Sequence, residues 1–187
     1  MTVEPAPPTG LSPDSPIPGL AAAPAMGLRV GQGFDVHPWS DNPARPLVLG
    51  GRVFDGYPGL VGHSDADVIA HACTDALLGA SGLGDIGSLF PDDDPALAGA
   101  DSVALLSRVV AHLAGRGWAP VNIDCTVVLD EPKLAPHRDE IEARLTAAVG
   151  APVTVKGKRT EQLPGLAGGI QCHAVALVIQ DRGEQGW

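Results

Sequence analysis

The sequence predicts a single-domain α/β sandwich, one mixed sheet with helices packed on one face. Segments with helical apolar spacing alternate along the chain with runs rich in Val and Ile. The 187 residues are 44% hydrophobic, which supports one proper core but not comfortably two. The domain is expected over 27–181. A Pro- and Ala-dense stretch at 1–26 reads as a disordered tail, and it lacks the Lys or Arg that a secretory or organellar leader supplies. A short C-terminal tail follows at 182–187.

Taken in order, Leu28 to Val36 has the composition of a first strand, and Leu47 to Phe54 carries Gly50-Gly51, the pair expected at a hairpin turn. Asp67 to Ala80 places Val68, Ala72, Ala76 and Leu77 at helical spacing, with Ser64 three residues ahead of Asp67 as a capping-box-like start. Gly82, Gly84 and Gly87 then mark a loop. Two further helices are expected from Ser102 to Ala114 and from Arg138 to Val149. Strands follow the helices at Asn122 to Leu129, Val153 to Lys156 and Cys172 to Ile179. Gly165, Gly168 and Gly169 punctuate the loop before the last strand.

Charge and cysteine usage exclude several classes. A net charge of −10 with only 12 Lys and Arg leaves no clustered cations for a nucleic acid. No apolar run reaches the roughly 18 to 20 residues of a membrane span. Cys73, Cys125 and Cys172 are far apart in sequence, odd in number and without a CxxC. A disulfide framework or an all-cysteine zinc site is therefore not expected, and a reducing cytoplasm fits.

Four stretches carry chemistry. In Gly33-Phe34-Asp35-Val36-His37, strand alternation sends Asp35 and His37 to one face and Val36 to the other. Helical spacing of four puts Asp67 and His71 on one helix face, with Asp75 a turn further. Two imidazoles and a carboxylate leave a fourth tetrahedral position open, as catalytic zinc requires; the alternatives are a solvated strand edge and a helix-surface pair. His63 and Ser64 precede the helix, where unpaired N–H groups suit a phosphate or where Ser64 is an ordinary N-cap. Gly84 to Asp94 is a glycine loop leading to Asp92, Asp93 and Asp94, a surface turn or a weak cation site. Lys156-Gly157-Lys158-Arg159-Thr160-Glu161 gathers three cations and a carboxylate at a strand end. It suits a diphosphate bridged by a divalent ion, or a charged edge that blocks strand pairing.

Together, Gly31-x-Gly33-Phe34-Asp35-Val36-His37, His63-Ser64-Asp65-x-Asp67 with His71, Thr74-Asp75-Ala76-Leu77-Leu78-Gly79 and Gly84-Asp85-Ile86-Gly87-x-Leu89-Phe90-Pro91-Asp92 resemble 2-C-methyl-D-erythritol 2,4-cyclodiphosphate synthases of the non-mevalonate isoprenoid pathway. Gly99-Ala100-Asp101-Ser102, Pro132-Lys133-Leu134, Val155-Lys156, Thr160-Glu161 and Gly169-Ile170 extend the resemblance, in order, from about Leu28 to Ile179. It implies a homotrimer with active sites at subunit interfaces. Zinc would sit on Asp35, His37 and His71, and a second divalent cation, Mg or Mn, on Glu161.

The implied substrate is 4-diphosphocytidyl-2-C-methyl-D-erythritol 2-phosphate, closed to the cyclic diphosphate with loss of CMP. His63 and Ser64 would hold phosphate beside Asp35, Val36 and His37. Asp85, Ile86, Gly87, Phe90, Pro91, Asp92, Asp93 and Asp94 would bind the methylerythritol part. Leu129, Lys133, Leu134 and Ala135 would wall the cytidine pocket, and Lys158, Arg159, Thr160 and Glu161 would meet the diphosphate. His63 and Arg159 are the implied catalytic groups.

The chain departs from that pattern in one segment. Lys158 and Arg159 stand where the family carries threonines. The loop Gln162 to Ile170 is about two residues shorter, with Leu166 nearest a lost arginine. Either Arg159 takes over the neutralisation of phosphate charge, or the chain is a zinc-bound trimer that binds a nucleotide or isoprenoid phosphate as a sensor.

Overall fold

The computed structural model describes residues 27–180, so the expectations for 1–26 and for 182–187 lie outside the described residues. The elements run β1 (Leu28–Pro38), β2 (Leu47–Leu49), β3 (Arg52–Phe54), α1 (Val68–Ser81), α2 (Ile86–Leu89), α3 (Ser102–Ala114), β4 (Trp118–Val128), α4 (Arg138–Val149), β5 (Val153–Lys158) and β6 (Gly169–Gln180). Single 3-10 turns stand at Pro95–Leu97 and Ala135–His137. The main sheet has the order β1-β6-β4-β5. β6 is antiparallel to both neighbours, and β4 with β5 is parallel. The expected mixed sheet is present, with α4 as the crossover that a parallel pair requires.

Strand alternation divides the sheet into two unlike faces. Ile123, Cys125 and Val127 of β4 and Ile170, Cys172, Ala174, Ala176 and Val178 of β6 are buried beneath the helices. On the other face, Leu28, Val30, Phe34, Val36, Val175 and Ile179 are exposed, Val30 at 68%. The core lies on the helix side, where Leu77, Leu106, Leu113, Ile141 and Leu145 are fully buried. Each such side chain contributes about 1.5–3 kcal/mol by leaving water.

The approach of α1 to β1 positions the site. Gly31 and Gly33 face the helix, and a Cβ at Gly31 would lie 2.1 Å from the Ala76 carbonyl oxygen. At Gly33 it would lie 2.0 Å from the Ala72 oxygen and 2.6 Å from the Ala76 nitrogen. Helix backbone therefore sits directly on strand backbone, closer than any side chain between them would allow.

The start of α1 differs from expectation. Its N-cap is Asp67, not Ser64: Asp67 Oδ1 accepts Ile69 N at 3.0 Å and Ala70 N at 3.2 Å. Asp67 Oδ2 accepts Gly51 N at 2.6 Å. Gly51 and Gly50, at φ of 73° and 60°, form the turn of the β2–β3 hairpin with both central residues left-handed, as a type I′ turn requires. Asp67 is wholly buried, so it makes no surface pair with His71. Burial pushes its carboxyl up to about 6, against the backbone N–H donors that pull it down.

Other departures are local. Ile86–Leu89 is a one-turn helix capped by Asp85 rather than a plain turn. The 3-10 turn at Ala135–His137 leads directly into α4, one turn ahead of its expected start. The three cysteines, distant in sequence, are all buried and free. Cys73 Sγ and Cys125 Sγ stand 3.4 Å apart, beyond a disulfide bond of about 2.05 Å. Among the described residues, no helix is long and apolar enough to cross a membrane.

Candidate metal and substrate site

Asp35 and His37 leave the C-terminal end of β1 on the same face as Gly31 and Gly33, toward α1. His71, in the first turn of α1, meets them. Asp35 Oδ2 lies 3.0 Å from His37 Nε2 and 3.0 Å from His71 Nδ1, and the two ring nitrogens are 3.2 Å apart. Their side chains are 12–23% exposed. Among the described residues this is the one group of three that could hold a metal ion.

Tetrahedral zinc with bonds of about 2.0–2.1 Å sets its ligand atoms about 3.3–3.4 Å apart. The three atoms are within a few tenths of an ångström of that spacing and converge on one point. The donor set therefore fits the metal that the spacing suggested. Burial would raise the Asp35 carboxyl, but hydrogen bonds from His37 and His71 outweigh it and hold the group well below the usual carboxylate range. His71 moves the opposite way: burial lowers it, but the hydrogen bond to Asp35 together with the negative charges of Asp35, Asp67 and Asp65 outweighs burial and raises it. The carboxylate is thus ionised, as a ligand must be.

A cleft of about 370 Å³ opens beside the triad. His37, His63, Ser64 and His71 form its polar end, and Ile86, Gly87, Phe90, Pro91, Leu97 and Leu105 its largely apolar wall, with Asp92 among them. Such a mixture suits a small ligand with both polar and apolar parts. Arg108 stacks over Phe90 at 4.9 Å and holds that wall. The His63 ring donates from Nε2 to the Asp94 carbonyl at 2.7 Å, which fastens the acidic loop to the polar end of the cleft. Arg45 Nη2 donates to Ser64 O at 2.6 Å and holds the loop that carries His63 and Ser64.

Several expected contacts lie elsewhere. Val36 points to the opposite, exposed sheet face. Asp85 caps α2 through Ser88 N at 2.8 Å, and Asp94 caps its 3-10 turn through Ala96 N at 2.9 Å. Neither lines the cleft, nor does Asp93. His63 and Ser64 do not face open helix N–H groups, because Asp67 already occupies those donors. Asp75 lies outside the triad and instead accepts Ile86 N at 2.8 Å, which joins α1 to α2.

A second cleft, of about 260 Å³, lies between the ends of β4 and β5 and the start of α4. It is lined by Leu129, Lys133, Leu134, Ala135, Lys158 and Arg159, all expected, together with Asp130, Pro132, Gly157 and Arg138. Four cations face one carboxylate there, in a chain whose net charge is −10. Arg138 was not foreseen. Lys156, foreseen as part of the cation cluster, pairs instead with Asp124 on the neighbouring strand. Thr160 is 1% exposed and donates its hydroxyl to Asp130, while its N–H reaches Asp130 Oδ1 at 3.2 Å. It lines neither cleft. Glu161 is exposed at a φ of 51° and lines neither cleft. The two clefts share no residue.

Sequence reasoning missed a layer behind His71. His71 Nε2 lies 2.8 Å from Ser102 Oγ and 3.0 Å from Ser64 Oγ, and Ser102 Oγ donates to Asp65 Oδ1 at 2.5 Å. Asp65 and Ser102 both stand in motifs that carried the resemblance, which was the available signal.

The YgbB family model matches residues 28–179. The chain is 52% identical over 158 residues to the 2-C-methyl-D-erythritol 2,4-cyclodiphosphate synthase of Dechloromonas aromatica, covering 82% of this chain and 98% of that one. A solved structure of a 2C-methyl-D-erythritol-2,4-cyclodiphosphate synthase in a CDP-bound form superposes with a TM-score of 0.73 at 37% identity, over 80% of this chain and 99% of the other. The CDP complex of IspF from Plasmodium falciparum gives 0.71 at 30% identity, over 83% and 98%. The fold, the order of the motifs and these matches agree, and the chain belongs to the YgbB family.

Proposed function

We propose that the chain converts 4-diphosphocytidyl-2-C-methyl-D-erythritol 2-phosphate to 2-C-methyl-D-erythritol 2,4-cyclodiphosphate and CMP, as a metal-dependent phosphorus–oxygen lyase of isoprenoid precursor synthesis. The observation that carries this reading is the convergence of Asp35, His37 and His71 at the polar end of a cleft, in a chain so similar to synthases. An oxygen of the 2-phosphate bonds to the β-phosphorus. The bond from that phosphorus to the oxygen bridging the α-phosphate breaks, and the oxygen leaves as part of CMP. Both reacting groups belong to one molecule, so the protein contributes position and charge neutralisation.

Asp35, His37 and His71 would hold zinc in this reading. Bound zinc supplies Lewis-acid polarisation of a phosphoryl oxygen. His63 and Ser64 orient the phosphate, and Ile86, Gly87, Phe90, Pro91 and Asp92 exclude water around the methylerythritol. Lys133, Leu134, Ala135 and Leu129 take the cytidine end. Glu161 would hold the second divalent cation, Mg or Mn, which would supply charge neutralisation for the diphosphate. Thr160 acts from behind, through Asp130, by fixing the turn that carries Glu161. Three free thiols support a cytoplasmic enzyme.

Two features support a homotrimer with interfacial sites. The apolar sheet face, with Val30, Phe34, Val36 and Val175, is uncovered by any element among the described residues, as a subunit interface would be. The clefts that would hold the two ends of one substrate share no lining residue, so a second copy would complete each site. Light scattering should give three times the 19.1 kDa chain mass; the mass of a single chain would contradict the assembly.

Arg159 is 69% exposed and only 3.7 Å from Asp130, free enough to swing onto phosphate. Arg159→Ala is expected to lower kcat/KM by roughly ten- to a hundredfold. Unchanged turnover with an unchanged KM would remove Arg159 from the mechanism. Product stoichiometry tests the reaction itself: one CMP per substrate, with no orthophosphate, is expected. Orthophosphate release would make the chain a phosphatase.

A further inference from the structure

None of the residues that line the first cleft is Lys or Arg, although Asp92 lines it and Asp35 stands beside it. An anion entering there needs positive charge from behind the lining or from a metal. Arg45, in the connection between β1 and β2, stands behind the segment that supplies His63 and Ser64. Its Nε donates to Leu60 O, and its Nη2 donates to Ser64 O at 2.6 Å. Leu60 is 1% exposed and Ser64 8%, so water does not replace those two donors when the guanidinium is removed. Among the described residues Arg45 forms no ion pair. Its charge is therefore cancelled by no carboxylate in contact with it.

Backbone bonds tether the segment only at its ends. Ser40 N donates to Gly59 O at 2.8 Å and Val61 N to Pro38 O at 2.9 Å, which join its start to the end of β1. Asp65 N donates to Ala100 O at 3.1 Å and Gly99 N to His63 O at 2.9 Å, which join its end to the turn before α3. Gly59 runs against the backbone of Arg45, where a Cβ would lie 2.6 Å from Arg45 O. The guanidinium fork spans the interval from Leu60 to Ser64, a bridge of two parallel donors that an ammonium does not reproduce.

We propose that Arg45 is a positioning residue for anion binding: it seats the His63–Ser64 segment from behind and sets an uncancelled positive charge at the polar end of the cleft. That the anion is the substrate's phosphate rests on the function proposed above; the seating of the segment does not. Charge in a partly desolvated cleft acts over several ångströms, so Arg45 acts without touching the phosphate.

The test compares the zinc-loaded full chain with Arg45→Gln, which removes the charge, and Arg45→Lys, which keeps the charge but loses the fork. Hydrogen exchange reads the seating: the amides of Val61, Asp65 and Gly99 are expected to lose protection roughly tenfold in both variants, while those of β6 hold. Inorganic phosphate, titrated while the His63 ring signals are followed by NMR, reads the charge. Its affinity is expected to fall roughly tenfold in Arg45→Gln and by less in Arg45→Lys. With the diphosphocytidyl substrate, KM should rise roughly ten- to a hundredfold in Arg45→Gln. Zinc affinity should not fall, because its ligands lie on β1 and α1 and the lost group is a cation; a general collapse of the site would lower it.

Wild-type protection of those amides in Arg45→Gln overturns the proposal, and so does phosphate affinity that is equal in all three proteins. Should Arg45→Gln fail to fold, Arg45→Lys decides, unaltered protection overturning the proposal and lost protection supporting it. A wild type that binds phosphate in an Arg45-dependent way but turns over no substrate supports the proposal and overturns the synthase reading instead.

Discussion

Gly33→Ala is expected to destabilise the chain by about 3 kcal/mol or more, the upper range for overpacking, and to disconnect the metal site as it does so. The new Cβ meets backbone on the facing helix, the Ala72 oxygen at 2.0 Å and the Ala76 nitrogen at 2.6 Å. No rotamer change relieves a clash with backbone, so α1 must move away from β1. His71 immediately precedes Ala72 on that helix, while Asp35 and His37 stay on the strand. A displacement of about 1 Å is enough to break contacts of 3.0–3.2 Å. Urea unfolding and zinc titration of the folded fraction should therefore change together. Wild-type values for both would mean that the close approach does not set the site.

The second large effect is on the carboxylate between the two imidazoles. Asp35→Asn keeps the shape but removes the charge that makes the triad a cation site. Zinc-dependent turnover is expected to fall about a thousandfold or more, with far-ultraviolet dichroism unchanged. Stability should shift in a defined direction with pH. The Asp35 carboxyl is depressed in the folded state, so its contribution is present above the unfolded value of about 3.9 and is lost as pH falls toward the folded one. The metal-free wild type should lose stability on acidification, and the Asn variant should lose less. Initial rates and acid titrations of the two proteins check both statements.

What could be read from the sequence followed the range of the interactions involved. The Asp35/His37 pair was legible because strand alternation is local and periodic, and the boundaries of α3 and α4 emerged from apolar spacing for the same reason. The cap of α1 was not. Ser64 and Asp67 are both good cap residues, and only the hairpin N–H of Gly51, from 16 residues upstream, draws Asp67 inward. Lys156 read as a phosphate cation until the parallel pairing of β4 with β5 put it beside Asp124. Thr160 was turned inward by Asp130, 30 residues away, and Ser102 reaches His71 from 31. Each of these depends on tertiary register, which one residue's neighbours in sequence do not encode.

Glu161 is the group whose role depends most on a second copy of the chain. It lines neither cleft, and its left-handed backbone, shared with Gln162 at a φ of 56°, holds it outward at the end of β5. Such strain in non-glycine residues often accompanies a functional turn. Outward display is what a ligand contributed across an interface needs.

The central claim is that the Asp35-His37-His71 site supports metal-dependent ring closure by this chain. Phosphorus-31 NMR of the purified protein with 4-diphosphocytidyl-2-C-methyl-D-erythritol 2-phosphate and Mg, after chelation and again after zinc is restored, tests it most directly. The prediction is that the cyclic diphosphate and CMP signals are absent after chelation and grow in equal amounts once zinc is returned. Tight substrate binding with zinc present but no cyclic product, or ring closure at full rate without zinc, would contradict it.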